Sequence, residues 1–177
     1  DLSNVTGWVN DVTIYEVVSD GAGNWMFAQG MNVFASTNEG VDWTRVLDFS
    51  ASPHSAQGYE AKTMAYTASR WSVFFRKTSQ SRVLHAAAAD TSTWTAATVG
   101  GAAMSGQNLI ASGARRMAAG DGTVIIVNSN DTSRSTNGGQ DWTKNSNDLP
   151  RTDARDVATD GQGNWIVVHD SGRVSIS

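Results

Sequence analysis

The 177-residue chain contains no cysteine, which excludes a disulfide framework, a thiolate metal cluster and a thiol nucleophile. Only two prolines are present, and the three lysines (Lys62, Lys77, Lys144) are scattered. With a formal net charge of -4 and no basic stripe to track a phosphate backbone, no nucleic-acid partner is expected. No apolar run reaches membrane-spanning length and no signal peptide is recognisable, so membrane insertion is not expected. Glutamate is also scarce, with only Glu16, Glu39 and Glu60 available for acid–base work. The chain opens at Asp1 rather than Met, as expected of a product that is processed or excised from something longer.

What is present is repetition. Ser36-Thr37-Asn38-Glu39-Gly40-Val41-Asp42-Trp43 returns as Ser135-Thr136-Asn137-Gly138-Gly139-Gln140-Asp141-Trp142. Each residue type in Ser-x-Asn-x-Gly-x-x-Trp has a physical task. Asn tolerates left-handed backbone and accepts turn N–H groups, and Gly supplies positive φ. The Trp is an apolar plate able to fold back over the turn. Ser36, Asn38, Gly40, Trp43, Ser135, Asn137, Gly139 and Trp142 are therefore read as structural turn residues.

Around these turns the apolar runs are short. Val12–Val18, Trp25–Gln29, Asn32–Ser36 and Trp43–Leu47 read as four strands separated by tight turns, a unit of propeller-blade size. The run from Val157 to Val168 mirrors that from Val17 to Ala28, and two more worn copies lie between them. Trp25, Trp71 and Trp165 open second strands, with Thr123 in that place in the third copy. Trp8, Trp43, Trp94 and Trp142 follow hairpin turns. The expected fold is an all-β propeller of four-stranded antiparallel blades, at about 12–48, 60–97, 115–146 and 155–177, the last completed by residues 1–9. Sharing one blade between the termini would leave no open sheet edge. A section of a larger propeller, or a two-sheet sandwich, stays as an alternative.

On these motifs the chain resembles the Asp-box (BNR-repeat) β-propellers, whose turn reads Ser-x-Asp-x-Gly-x-x-Trp. Asn38 and Asn137 replace the Asp, and the 91–94 turn keeps only its Trp. Gly163-Asn164-Trp165-Ile166-Val167-Val168 is similar to a phrase that precedes the motif in many bacterial and phage members. The resemblance implies that the turn motif lies on outer hairpins and is structural. It does not imply one activity, because the family spans sialidases, sorting receptors, photosystem assembly factors and virion or surface proteins.

Chemistry is thin. A sialidase-type site needs an arginine triad, a Tyr–Glu pair and an acid, but Tyr15-Glu16 and Tyr59-Glu60 are sequence neighbours that point to opposite strand faces. Arg115, Arg116 and Arg155 precede first strands. Asp20, Asp121 and Asp160 sit in Asp-Gly turns and are expected to bond their own backbone. His54, His85 and His169 show no ligand spacing. No metal, cofactor or catalytic residue is expected, and the chain is not expected to be an enzyme. Two long connections, 51–58 and 98–114, should open on one face, where His54, Gln57, Tyr59, Gln107 and Asn108 are the candidate ligand-binding residues. The expected role is a structural or attachment module on a virion (phage tail or capsid) or bacterial surface. Its partners would be other virion or surface proteins, or a cell-surface glycan, and homo-oligomerisation is open. A glycan-binding lectin and a sialidase-like hydrolase are the alternatives.

Overall fold

The computed structural model describes residues 2, 5–6, 8, 12–51, 54, 57–67, 69–78, 80–103, 116–129, 131–150 and 152–176. Among them every regular element is a strand, as expected. The first sheet pairs β1 (Ile14–Ser19), β2 (Trp25–Gln29), β3 (Asn32–Ser36) and β4 (Thr44–Asp48) in that order. The second pairs β5 (Glu60–Thr67), β6 (Arg70–Lys77), β7 (Gln80–Ala87) and β8 (Asp90–Ala96).

The third sheet is larger than expected. Its meander of β11 (Arg116–Gly120), β12 (Thr123–Asn128), β13 (Asp131–Ser135) and β14 (Asp141–Asn145) is extended by β9 (Thr98–Val99) and β10 (Ala102–Ala103). β9 lies parallel to β14, pairing Thr98 with Asp141 and Val99 with Trp142. The start of the expected 98–114 loop is thus a hairpin that covers a sheet edge, whose free backbone groups would otherwise stay unpaired. The fourth sheet has three strands, β15 (Ala154–Thr159), β16 (Trp165–His169) and β17 (Val174–Ile176).

The sheets stack in chain order, with their first strands as the shared inner layer: β1 against β5, β5 against β11, and β11 against β15. Three apolar layers separate them. Met26, Ala28 and Val33 meet Trp71, Val73 and Phe75 between the first and second sheets. Phe74 and Val83 meet Val124, Ile126 and Trp142 between the second and third. Val127 meets Val157, Trp165 and Val167 between the third and fourth. Strands in the middle of the stack are apolar on both faces, which explains the unbroken run Val73-Phe74-Phe75. Gly120 is required at one crossing, because a Cβ there would lie 2.8 Å from Thr159 Cγ2 and 2.9 Å from Gly161 Cα.

Both motif turns fold alike. Ser36 Oγ donates to Asn38 Oδ1 at 2.9 Å and accepts Gly40 N–H at 2.9 Å. Asn38 Oδ1 accepts Asp42 N–H at 2.8 Å, and Trp43 Nε1–H donates to Gly40 O at 2.9 Å. The second copy repeats these four bonds through Ser135, Asn137, Gly139, Asp141 and Trp142, all between 2.8 and 2.9 Å. The x and Gly positions both take positive φ, at 61° and 83° for Glu39 and Gly40 and 69° and 86° for Gly138 and Gly139. In the third sheet Val124, not Thr123, pairs with the motif serine, as Trp25 does in the first.

Of residues 1–9, expected to complete the fourth sheet, Leu2, Val5, Thr6 and Trp8 are described, and the rest of that expected strand lies outside the described residues. Leu2, Val5 and Thr6 line a cleft with residues 40–45 of the first sheet. The Trp8 ring meets Phe27 and Phe34 edge-on, with centroids 6.1 and 6.3 Å away. Phe27 in turn stacks on Phe34 and meets Trp43 at 4.7 Å. This aromatic cluster offers Trp8 a large apolar surface and favourable edge-to-face geometry.

Candidate functional site

The loop face is the first place to look for a site, and its aromatic ring is not free. Tyr59 is only 4% exposed. Its ring meets Phe49 edge-on at 5.5 Å, the Arg82 guanidinium lies 5.3 Å from its centroid, and its hydroxyl donates to Gln80 Oε1 at 2.9 Å. Phe49 is fully buried against Phe75. The expectation that Tyr59 could stack on a sugar is therefore corrected: the connection folds inward because burying two rings outweighs displaying them.

His54 packs 5.6 Å from Phe49, and burial, followed by the Arg82 charge, holds its pKa below the ordinary histidine value. Gln57 is exposed, and its carbonyl accepts Lys77 Nζ at 2.9 Å. Gln107 and Asn108 lie outside the described residues. The structure brings together His54 and Tyr59 around Phe49, as packing.

Near the inner strands, one carboxylate links three sheets. Glu16 Oε2 accepts both Thr63 Oγ1–H at 2.5 Å and Met64 N–H at 2.9 Å. Thr63 Oγ1 itself accepts Met117 N–H at 2.9 Å. First, second and third sheets are thereby joined through one bulged position of β5, where the register shifts between Ala61 and Thr63. Burial pushes the Glu16 carboxyl up, against the lowering effect of its two hydrogen bonds and of Arg116; Asp156 of the fourth sheet adds repulsion. Nothing in the sequence marked Thr63, because its role depends on a bulge.

Arg155 is bound to Asp170, Lys62 bridges Glu60 at 2.5 Å and the Tyr15 hydroxyl at 3.2 Å, and Arg115 lies outside the described residues. Asp160 accepts Gln162 N–H and Asn164 Nδ2–H within its own turn, and the Asn164 side chain is the main reason its pKa is lowered. Asp20 makes the corresponding bonds to Ala22 and Asn24. Among the described residues no group of three or more His, Asp or Glu side chains is placed to hold a metal ion.

Two open surfaces lie on the fourth sheet. On the side away from the third sheet, Ile166 pairs with Ile176 and Val168 with Val174. These four aliphatic side chains form a cross-strand square that is 43, 75, 39 and 55% exposed, in that order. On the other side, a cleft of about 620 Å³ opens between the third and fourth sheets beside β17.

No protein-family model and no curated protein matches the chain. Solved structures do match in fold. YCF48 from Cyanidioschyzon merolae superposes with a TM-score of 0.64 at 15% identity, over 94% of this chain and 53% of that one. YCF48 bound to D1 peptide gives 0.55 at 11%, over 94% and 65%. A luciferin-regenerating enzyme gives 0.61 at 11%, over 94% and 59%, and a streptogramin B lyase 0.56 at 13%, over 96% and 55%. These are β-propeller proteins, and the chain has their fold. It spans a little over half the length of the first of them. The expectation that the chain is not an enzyme is overturned as an inference from architecture, since this fold carries a lyase and a luciferin-regenerating enzyme.

Proposed function

We propose that the chain is a structural and attachment module of a virion or cell surface that holds a partner protein on the open face of its fourth sheet. One observation carries this reading: the square of Ile166, Val168, Val174 and Ile176, four aliphatic side chains left exposed on a rigid sheet. Contiguous exposed apolar surface of this kind marks sites of protein contact. The glycan reading has less support, because Tyr59 is turned into the core. A neighbour of the same fold, YCF48, has been solved with a peptide bound, which supports a protein partner.

The test is Ile166→Lys with Val168→Lys in the assembled particle or surface from which the chain comes. Both side chains are exposed, so the thermal midpoint should hold while incorporation falls. Normal incorporation of the soluble double variant would sink the proposal.

A further inference from the structure

The two motif turns differ at one peptide bond. Asn38 is followed by Glu39, whereas Asn137 is followed by Gly138, the single Asn-Gly pair of the sequence. The side-chain carbonyl of an asparagine is within reach of the next residue's backbone nitrogen, and a glycine leaves that nitrogen unshielded.

The second turn also prepares the carbonyl for attack. Asn137 Oδ1 accepts Ser135 Oγ–H at 2.8 Å and Asp141 N–H at 2.9 Å. Two donors fixed on that oxygen stabilise the negative charge it gains when its carbon becomes tetrahedral. The first turn aims the same two donors at Asn38 Oδ1 but holds the rest of the group differently. Asn38 Nδ2–H donates to Asp42 Oδ2 at 2.8 Å, which pins the leaving amide. Asn137 bonds through its Oδ1, N–H and main-chain carbonyl, and its Nδ2 meets no acceptor among the described residues. The equivalent carboxylate, Asp141, is turned to Thr98 Oγ1–H and Gly101 N–H of the β9–β10 hairpin. Both asparagines are exposed to water. The N–H that must give up its proton is bonded in each copy, Glu39 to Gly23 O at 3.0 Å and Gly138 to Gly122 O at 2.9 Å. That restraint is common to the two turns and does not separate them.

We infer that Asn137 is a self-modifying site, which loses its side-chain amide by cyclisation with Gly138. Solvent hydroxide takes the Gly138 proton, and the nitrogen lone pair forms a bond to Asn137 Cγ. The Cγ–Nδ2 bond then breaks, and ammonia departs with a proton from water. Water opens the resulting five-membered imide at either carbonyl. Opening at Cγ leaves aspartate. Opening at the main-chain carbonyl carbon routes the backbone through Cγ and lengthens it by one methylene.

The lengthened product has a structural consequence, because this turn sits tightly on the second sheet. A Cβ at Gly138 would lie 3.1 Å from Arg70 Cδ, and one at Gly139 would lie 2.1 Å from Ser72 Oγ. Ser72 Oγ–H also donates to Gly138 O at 3.4 Å. Close-packed contacts do not absorb an inserted methylene, so the modification loosens the seam between the second and third sheets. This inference does not depend on the attachment face of the fourth sheet.

The experiment incubates the whole folded chain at mildly alkaline pH and follows it by peptide mapping and mass spectrometry. Asn137 should gain about one dalton, at least about tenfold faster than Asn38 does. Ser135→Ala removes one of the two donors on Oδ1 and should slow the folded chain about tenfold. Glu39→Gly with Asp42→Ala gives the first turn the same pair and frees its amide, so Asn38 should then react as Asn137 does. Aged chain rich in isoaspartate should melt below fresh chain.

An Asn137 that stays intact when folded, while the same chain in urea converts, would overturn the inference, because the turn would then protect it. Equal rates at Asn38 and Asn137 would do the same, as would an unreactive Asn38 in the folded double variant. An unchanged thermal midpoint after full conversion to isoaspartate would overturn the loosening of the seam.

Discussion

The second and fourth sheets have similar second strands, Trp71-Ser72-Val73-Phe74-Phe75 and Trp165-Ile166-Val167-Val168, and opposite surroundings. In β6 every one of the five residues is buried, with Trp71, Val73 and Phe75 facing the first sheet and Phe74 facing the third. In β16 burial alternates: Trp165 and Val167 face the third sheet, while Ile166 and Val168 face outward. The lesson is that an apolar strand declares its compatibility with two neighbours and not their presence. Interior sheets should be intolerant of change, and the fourth sheet should be tolerant on one face only.

The largest effect should come from Trp142→Ala, which empties a fully buried site between two sheets and should cost about 4 kcal/mol in denaturant unfolding. A loss below about 1 kcal/mol would mean the interior layers are loosely packed and the contrast with the fourth sheet is false.

Gly139→Ala should cost about 3 kcal/mol, because φ is +86° and a Cβ would collide with Ser72 Oγ of the second sheet. Gly172→Ala has φ of +71° with open space around it, so only the backbone term of about 1 kcal/mol should appear. Equal losses at the two glycines would remove the packing part of this explanation.

The second sheet should also carry a pH-sensitive group. Burial, then the Arg70 charge, depresses His85 to about 4, and Arg70 Nη1 lies 3.3 Å from His85 Nδ1. The unfolded chain binds this proton near pH 6.5 and the folded chain does not. Stability from this group is therefore complete above pH 6.5 and is lost as pH falls from there to about 4, by on the order of 3 kcal/mol. Urea midpoints across that window, compared with His85→Leu, isolate the effect; parallel curves would refute it. Glu16 acts with the opposite sign. Its raised pKa favours the folded state at low pH, and that support fades as pH rises through the raised value. Glu16→Gln keeps an acceptor for Thr63 and Met64 and should flatten this slope. Glu16→Ala strands both donors and should cost about 2 kcal/mol.

The smallest change belongs to the outer face of the fourth sheet. Ile166→Thr and Val168→Thr should each shift stability by about 0.5 kcal/mol or less. Losses near those of interior positions would mean this face is covered in solution.

Much of the architecture was legible. Turn chemistry marked Ser36 to Trp43 and Ser135 to Trp142 because their hydrogen bonds are local, closing within four residues. Strand periods followed from short apolar runs. The candidate site was poorly legible: Tyr59 looked available because its neighbours in sequence are polar, whereas the side chains that bury it, Phe49 and Arg82, come from elsewhere in the chain. Thr63 acquires its role from a bulge and two neighbouring sheets.

By itself, then, the sequence determined the repeat, the strands and the turns, since these depend on backbone preferences and on contacts between residues close along the chain. Tertiary structure alone decided which apolar faces are covered, where Trp8 settles, and that β9 and β10 seal the third sheet while no strand among the described residues pairs with the far side of β17. Burial is a property of what stands opposite a residue, and what stands opposite is set by packing across the whole chain.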